Sequence, residues 1–191
     1  MIVRIVVAVL GLFLTVAPTL GAATTYRVDT SHSSVVFSVK RMDVVNVYGR
    51  FNGLQGTLSV DSENPAQSSV ELELRSEAVD TDNERRDNHL RSPDFFNAAQ
   101  FPVIRFKSTG VRALGGNRYE VTGDLTLHGV TRSITAEAEM TGSGQDPRRG
   151  SSLIGFETTF TLKRSDFGMN FMMGPLSDDV RITIAVHGMS E

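Results

Sequence analysis

The sequence predicts an all-β protein, an antiparallel β-barrel of eight strands with short helical inserts near the barrel mouth. Apolar and polar residues alternate with a period of two over most of the chain, which is typical of strands with one buried face. Short turn signals separate these segments, which favours antiparallel neighbours. A charge-dense segment, residues 83–96, interrupts the alternation and resembles a lid or plug. About eight such strands close economically into a barrel, and a two-sheet sandwich is the alternative fold.

Residues 1–23 have the layout of a secretory signal peptide, and we expect residues 24–191 to form one domain. Arg4 precedes an apolar run over residues 5–17, and small residues at 21–23 offer a cleavage site. The alternative is an uncleaved anchor, although the run is shorter than the about 20 residues of a membrane span. The sequence therefore predicts an exported protein.

Composition narrows the classes of partner and chemistry. The formal net charge is −3, so the domain lacks the basic surface that nucleic acids and anionic lipid surfaces attract. The absence of cysteine excludes disulfides, thiol catalysis and thiolate metal sites. The 11 phenylalanines suit a dry interior, because their side chains carry no polar group.

Four strands are predicted before the insert, over residues 34–40, 45–51, 54–61 and 70–75. The last is the clearest, since Val70, Leu72 and Leu74 alternate with charged residues. Asn64 and Pro65 mark the turn that precedes it.

The insert is predicted to hold two short helices. Asp82 or Asn83 can cap the first, which runs to about Leu90. Ser92 can cap the second, with Pro93 at its first helical position, where the missing N–H has no cost. We expect this second helix to end over residues 97–100.

Five further strands are predicted after the insert, over residues 104–108, 119–127, 134–140, 154–162 and 182–186. Hairpin turns are predicted at residues 115–117 and 128–129 because of their glycines. Residues 142–150 are expected to form a loose polar loop, and residues 164–179 a second irregular segment rich in Phe, Met and Gly.

The inward positions combine large and small apolar residues. One interpretation is a filled core, in which glycines and alanines at positions 49, 56, 123, 136 and 138 pack against large neighbours. The other is a tunnel that the small residues leave open for an apolar chain. The two aromatic inserts favour the tunnel, because a solid barrel needs no such flaps. The large inward residues are Phe37, Val39, Phe51, Leu72, Phe106, Leu125, Phe156 and Phe160.

Several blocks of sequence together resemble the YceI-like family of bacterial, largely periplasmic, polyisoprenoid-binding proteins. The blocks are Tyr26-Arg-Val-Asp-Thr-Ser-His-Ser33, Val35-Val-Phe-Ser-Val39, Gly49-Arg-Phe51, Arg86-Asp-Asn-His-Leu90, Phe95-Phe96, Phe101-Pro-Val-Ile-Arg-Phe-Lys-Ser108, Gly123-Asp-Leu-Thr-Leu-His-Gly-Val-Thr131 and Arg164-Ser-Asp-Phe-Gly-Met169. They occur in order over essentially the whole mature chain. Arg41 departs from the pattern, because the family often has histidine there.

The resemblance implies an extended, lipocalin-like barrel in the periplasm that holds a long isoprenoid chain, such as a polyprenyl phosphate or a quinone tail. The large inward residues would then line the tail. The two irregular segments would form the lid and meet the head group, through Arg86, Asp87, His89, Phe95, Phe96, Arg164, Asp166 and Phe167.

Two interpretations of these polar residues remain open. Arg86, Asp87 and His89 either fasten the insert to the barrel or bind the head group, where arginine can make paired hydrogen bonds to a phosphate. Arg164 and Asp166 pose the same question. The four histidines lack a compact metal-ligand spacing, so we expect no metal and no cofactor other than the lipid.

We therefore expect binding, transport or storage of an isoprenoid lipid without catalysis, since no nucleophile motif or phosphate loop is present. The alternatives are an enzyme acting on such a lipid, a partner of a membrane redox protein that hands over a quinone, and a structural protein with a packed barrel. A homodimer could form if the last strand were an exposed edge.

Overall fold

The computed structural model describes residues 23–190, so nearly all of the predicted signal segment lies outside the described residues. These residues form one sheet of eleven strands. No helix in this part of the chain has the length and apolar character to cross a membrane. The strands are β1 (Thr24–Val28), β2 (Ser34–Arg41), β3 (Val45–Phe51), β4 (Gln55–Val60), β5 (Ser69–Arg75), β6 (Val79–Asp80), β7 (Val103–Gly115), β8 (Arg118–Leu127), β9 (Val130–Gln145), β10 (Ser152–Lys163) and β11 (Leu176–Ser190).

The sheet closes on itself through pairing of β1 with β11. The ring runs β1, β4, β5, β7, β8, β9, β10 and β11, and every pairing in it is antiparallel. The predicted antiparallel barrel of eight strands is thus confirmed. The remaining three strands continue the sheet from β11. Strand β2 pairs with residues 176–185 of β11, β3 pairs with β2, and β6 pairs with β3.

Strand β11 is paired along both sides. One side follows β10, and the other follows β2 over residues 176–185 and β1 over residues 188–190. The last strand is therefore not an exposed edge, because β1 and β2 cover the side that β10 does not. The possible homodimer stays a prediction.

One end of the barrel carries the long connections. The insert between β5 and β7, the 164–175 segment between β10 and β11, and the tight β2–β3 and β8–β9 turns all lie at this end, which we call the mouth. The β8–β9 turn is as predicted, since His128 and Gly129 both have the positive φ of a two-residue hairpin. Three short 3₁₀ helices complete the connections, at Pro65–Gln67, Ser76–Ala78 and Arg164–Phe167.

The insert contains one α-helix, α1 (Glu84–Arg91), capped by the Asn83 side chain, which accepts a hydrogen bond from the Arg86 N–H at 3.0 Å. The predicted second helix is wrong, because residues 93–96 form turns. Ser92 ends α1 in an extended conformation with ψ of 169°. The reason is Pro93, whose ring disfavours helical geometry in the residue before it.

The strands after the insert are longer than predicted. Strand β9 continues to Gln145, so the loop that was expected to begin at residue 142 is confined to a tight connection before β10. Strand β11 begins at Leu176, within the segment that was predicted to be irregular. In both strands, backbone hydrogen bonds to the neighbouring strand continue beyond the residues in which apolar and polar side chains alternate.

Candidate functional site

The barrel encloses a cavity of about 250 Å³. Strands from all sides contribute to its wall, and its lining is apolar apart from Glu73, Glu157, Thr158 and Arg164. All eight of the large inward residues predicted from the sequence line this cavity, namely Phe37, Val39, Phe51, Leu72, Phe106, Leu125, Phe156 and Phe160. The arrangement suits a flexible apolar molecule, because the walls offer dispersion contacts and very few hydrogen-bonding groups.

Several lining residues were not singled out in the sequence. The largest group lies on β11, whose alternation was visible only from Ile182 onwards. Met169 and Leu176 belong to the segment that was predicted to be irregular, so no periodic signal marked them. The additional lining residues on these elements are Met169, Leu176, Val180, Ile182, Ile184 and Val186.

The small residues play two different roles. The space beside Gly49 is taken by the Phe37 ring of the paired strand, and the space beside Gly123 is taken by the Phe106 ring. These glycines admit an aromatic neighbour and so support the filled-core interpretation. Ala136 and Ala138, in contrast, line the cavity directly and support the tunnel interpretation. Both interpretations therefore hold, in different parts of the interior.

Aromatic residues from the insert close the wall near the mouth. Phe96 packs edge-on against Phe51 with ring centroids 5.2 Å apart. Phe95 packs in the same manner against Phe171 of the 164–175 segment, at 5.4 Å. Phe95 and Phe96 both line the cavity, as does Leu90 at the end of α1. The two irregular segments thus meet over the interior, as a lid requires.

Arg86 and Asp87 fasten the insert through Thr81. The buried Asp87 carboxylate accepts hydrogen bonds from the Thr81 N–H, at 2.9 Å, and from the Thr81 hydroxyl. The Arg86 guanidinium donates to the same hydroxyl, at 2.7 Å, and to the Thr81 carbonyl, at 2.6 Å. Neither side chain lines the cavity. The contacts correspond to the fastening interpretation of these two residues.

His89 lies on the outer side of the lid. Its Nε2 is 2.8 Å from a carboxylate oxygen of Asp94, and both side chains are about half exposed. Its ring packs edge-on against Phe95, at 5.1 Å, and against Phe171, at 5.4 Å. His89 does not line the cavity, so the structure places it as a brace between the two segments of the lid.

Arg164 is the polar residue that both lines the cavity and holds the second segment in shape. Its guanidinium is buried and donates to four backbone carbonyls, of Met169, Phe171, Leu176 and Ser177, at 2.7 to 3.2 Å. Burial lowers its pKa from the ordinary value, although an arginine remains charged at neutral pH. One of its five N–H groups takes part in none of these four bonds.

The other two predicted residues of this segment do not reach the cavity. Asp166 is exposed, and its backbone carbonyl accepts a hydrogen bond from Arg132 at 3.2 Å. Phe167 is one of the most deeply buried side chains in the described region, and its carbonyl accepts a hydrogen bond from His128 at 3.0 Å. We find no contact that would bring either side chain to a ligand in the barrel.

The surface around the mouth is unusually apolar. Large side chains are exposed in the β2–β3 turn and in the 164–175 segment, and the two elements are joined by a 2.8 Å hydrogen bond from the Met42 N–H to the Pro175 carbonyl. The exposed residues on these elements are Met42, Val44, Val45, Phe171, Met172 and Met173. Exposed apolar patches of this kind mark surfaces that contact lipids or partners.

Within residues 23–190, a single group of three potential metal ligands was found, formed by Asp29, His32 and His187. These residues do not line the barrel cavity. The cavity therefore has no resident charge cluster at its wall beyond the few polar residues named above.

The chain matches the model of the YceI-like domain over residues 26–187. It is 38% identical over 171 residues to protein YceI of Escherichia coli O157:H7, which covers 88% of each chain. The crystal structure of the Campylobacter jejuni YceI protein superposes with a TM-score of 0.72 at 30% identity, over 80% of this chain and 90% of that one.

A polyisoprenoid binding domain from Saccharophagus degradans shares the fold, with a TM-score of 0.70 at 17% identity, over 90% of this chain and 100% of that one. The family-model match spans nearly all of the described residues, and its limits fall in β1 and β11, the strands that close the barrel. This chain belongs to the YceI-like domain family.

Proposed function

We propose that this protein binds an isoprenoid lipid in the barrel cavity and carries or stores it in the periplasm, without converting it chemically. The observation that carries the proposal is the apolar cavity of about 250 Å³ inside the barrel, lined by side chains from every strand of the ring except β1. A long hydrocarbon chain cannot cross an aqueous compartment unshielded, and an enclosed apolar cavity supplies that shield.

The tail would supply most of the affinity. Each CH₂ group transferred from water to an apolar interior contributes about 0.8 kcal/mol. The cavity lies just below the range of about 300–1,000 Å³ that is usual for ligand pockets. Phe95 and Phe96 are the lid residues in contact with the interior, so a tail in the cavity would lie against these two rings.

Arg164 is the residue best placed to meet a polar head group. It lies at the cavity wall near the mouth, carries a positive charge and has one N–H outside its four carbonyl bonds. This chemistry suits a phosphate or the carbonyl oxygen of a quinone. Arg86, Asp87 and His89 would act indirectly, by holding the lid in place.

Two further arguments support the lipid and its location. The Saccharophagus degradans domain with this fold is described as polyisoprenoid binding. The signal-like layout of residues 1–23 supports export to the periplasm. A membrane redox protein, or another lipid-handling protein, is then the proposed recipient of the cargo, with the apolar mouth as the surface over which the lipid passes.

The test is lipid extraction and native mass spectrometry of the full protein after expression in a bacterial host, with an Ala136→Phe variant. The added phenyl ring would occupy part of the cavity, because Ala136 lines it directly. Displacing two CH₂ groups already costs about 1.6 kcal/mol, so we expect bound isoprenoid lipid to fall more than about tenfold.

Ser133→Phe is the matched control, since Ser133 is an exposed residue of the same strand and does not line the cavity. It should retain the lipid of the parent protein. A parent protein recovered without lipid, and unable to take up a polyprenyl phosphate or a quinone from vesicles, would refute the proposal. Recovery of a chemically altered lipid after incubation would instead establish the enzyme alternative.

A further inference from the structure

Asp29, His32 and His187 converge where the chain bends between β1 and β2. The Asp29 Oδ2 atom lies 2.7 Å from Nδ1 of His32 and 3.4 Å from Nδ1 of His187, which belongs to β11. All three potential ligand atoms lie within 4.8 Å of one another. Two imidazole nitrogens and one carboxylate oxygen form a donor set that borderline divalent metal ions prefer in proteins.

The backbone holds this cluster in place. The Asp29 N–H donates to the His187 carbonyl at 2.8 Å, which continues the β1–β11 pairing. The Ser33 hydroxyl accepts from the His187 N–H at 2.9 Å. These bonds tie the bend to β11, so the three side chains are gathered before any ion arrives, as a ligand site requires.

The Asp29 carboxylate is oriented and charged. Its Oδ1 accepts from the Ser31 N–H at 2.9 Å, which leaves Oδ2 facing both histidines. An aspartate carboxylate is an anion at neutral pH, and outer contacts of this kind commonly orient the ligands of metal sites.

The Nδ1 atom of His187 is buried and makes no hydrogen bond of good geometry among residues 23–190. Its one charged neighbour in the cluster is Asp29 Oδ2, 3.4 Å away. A buried polar atom without a partner is costly, and native proteins rarely keep one without a purpose. In the tautomer protonated at Nε2, Nδ1 carries a free lone pair, and Asp29 Oδ2 lies 3.4 Å from it. A bound cation would satisfy both atoms.

We propose that Asp29, His32 and His187 bind one divalent transition-metal ion, with Zn²⁺ as the ion of best fit. With metal–ligand bonds near 2.0–2.1 Å in a tetrahedral site, ligand atoms stand about 3.3 Å apart. The Asp29–His187 separation of 3.4 Å matches this value. His32 would move outward by a few tenths of an ångström, and its side chain, 73% exposed on a turn, is free to do so. Its Nδ1 proton would pass to Nε2 through solvent.

The surroundings leave room for a fourth ligand. His32 and His187 also line a hollow of about 390 Å³, together with Gly155 and Glu157. Gly155 pairs with His187 in the sheet, and the Thr141 hydroxyl, which also borders the hollow, fills the space beside Gly155. A water molecule or an exogenous ligand in this hollow could complete the coordination, as in zinc sites with three protein ligands. Glu157 adds negative charge to the entrance.

The experiment is calorimetric titration of the full, chelator-treated protein with Zn²⁺, followed by Co²⁺ substitution and visible spectroscopy. We expect one ion per chain and the absorption bands of tetrahedral Co²⁺. Asp29→Asn and His187→Gln should each weaken Zn²⁺ binding at least about 100-fold, because even losses in the outer shell of a metal site cost about 10–100-fold.

His32→Ala keeps the proposal testable if the other variants do not fold, because His32 is exposed on a turn. It should also weaken Zn²⁺ binding. His89→Ala is the matched control, since His89 pairs with Asp94 at 2.8 Å as His32 does with Asp29, but without a third ligand. It should leave the affinity for Zn²⁺ unchanged. Absence of saturable Zn²⁺ binding, or equal affinity in the parent and His32→Ala proteins, would overturn the proposal. The three residues would then only join the bend between β1 and β2 to β11 by hydrogen bonds.

Discussion

At the scale of single residues, the shape of the 164–175 segment depends on two charged side chains, Arg164 and Asp178. Arg164 binds four carbonyls of the segment that follows it, and Asp178 binds the residue next to Arg164. The Ser165 N–H and hydroxyl donate to the two oxygens of Asp178, at 2.9 and 2.7 Å. These bonds give an irregular segment a defined shape that apolar packing alone would not impose.

Asp178 makes this arrangement sensitive to acid. Burial acts to raise its pKa, but the hydrogen bonds from Ser165 and the charges of Lys163 and Arg164 outweigh burial, so the pKa lies below the ordinary value. A lowered pKa means that the carboxylate stabilises the fold above the unfolded-state value of about 3.9, and that this stabilisation is lost as the pH falls further.

We therefore predict that Asp178→Asn lowers the free energy of unfolding by about 1.5–3 kcal/mol at neutral pH, the usual contribution of a hydrogen bond to a charged group. The difference from the parent should narrow as the pH falls below about 4. Denaturant unfolding at both pH values measures it. Asp179→Asn is the control, because Asp179 is 64% exposed and pairs only with Lys163 among the described residues. If Asp178→Asn were destabilised relative to the parent by the same amount below a pH of about 4, the stabilising role of the Asp178 carboxylate would be contradicted.

At the scale of elements, the sequence predicts strands well and lid elements less well. The alternation of β2, β3, β5 and β8 located these strands within a few residues, because one face of each packs on the interior. The second predicted helix does not form. Pro93 favours the first position of a helix, but a proline also disfavours helical geometry in the residue before it, here Ser92. The Asp87–Thr81 contact could not be predicted from periodicity, because it joins a helix to the irregular loop that precedes it.

That contact makes α1 a testable unit. The Thr81 hydroxyl donates to Asp87 and accepts from Arg86, so Thr81→Val removes both bonds while keeping the side-chain shape. Bonds to charged groups contribute about 1.5–3 kcal/mol. We predict that hydrogen exchange of the α1 amides, residues 84–91, accelerates about tenfold or more while β8 and β9 stay protected.

Thr126→Val provides the comparison for this experiment. Its hydroxyl pairs with that of Thr131 at 2.9 Å on the β8–β9 hairpin and makes no hydrogen bond to α1. It should leave exchange in α1 unaltered. Unchanged exchange in Thr81→Val would mean that the helix is held by Leu90 and the aromatic lid instead of by Thr81.

At the scale of the whole molecule, the barrel follows from the sequence but its cavity does not. Strand number and short connections predicted the closed sheet. The cavity is a small difference between the volume that the strands enclose and the volume that the side chains fill, and residue patterns fix neither term closely. Gly49 and Gly123 illustrate this limit, because Phe37 and Phe106 fill the space that these glycines leave open. The Asp29, His32 and His187 cluster was equally hidden, since its members come from distant parts of the chain.

An unfilled interior has a thermodynamic consequence for the whole barrel. Walls without a partner lose dispersion contacts, and a ligand that restores them binds only the folded state. We predict that removing bound lipid lowers the melting temperature, and that restoring a polyprenyl phosphate or quinone at about 100 times its Kd recovers about 2.7 kcal/mol. For a domain of this size, that corresponds to roughly 5–10 °C.

Differential scanning calorimetry of the parent, Ala136→Phe and Ser133→Phe proteins, each with and without added lipid, measures this coupling. The added ring of Ala136→Phe occupies part of the cavity permanently, so at the same lipid concentration its melting temperature should rise by no more than about half as much as that of the parent. Ser133→Phe should respond as the parent does, because its ring lies outside. An equal response in all three proteins would locate the lipid on the outer surface, at the apolar mouth, and would separate surface adsorption from burial within the barrel.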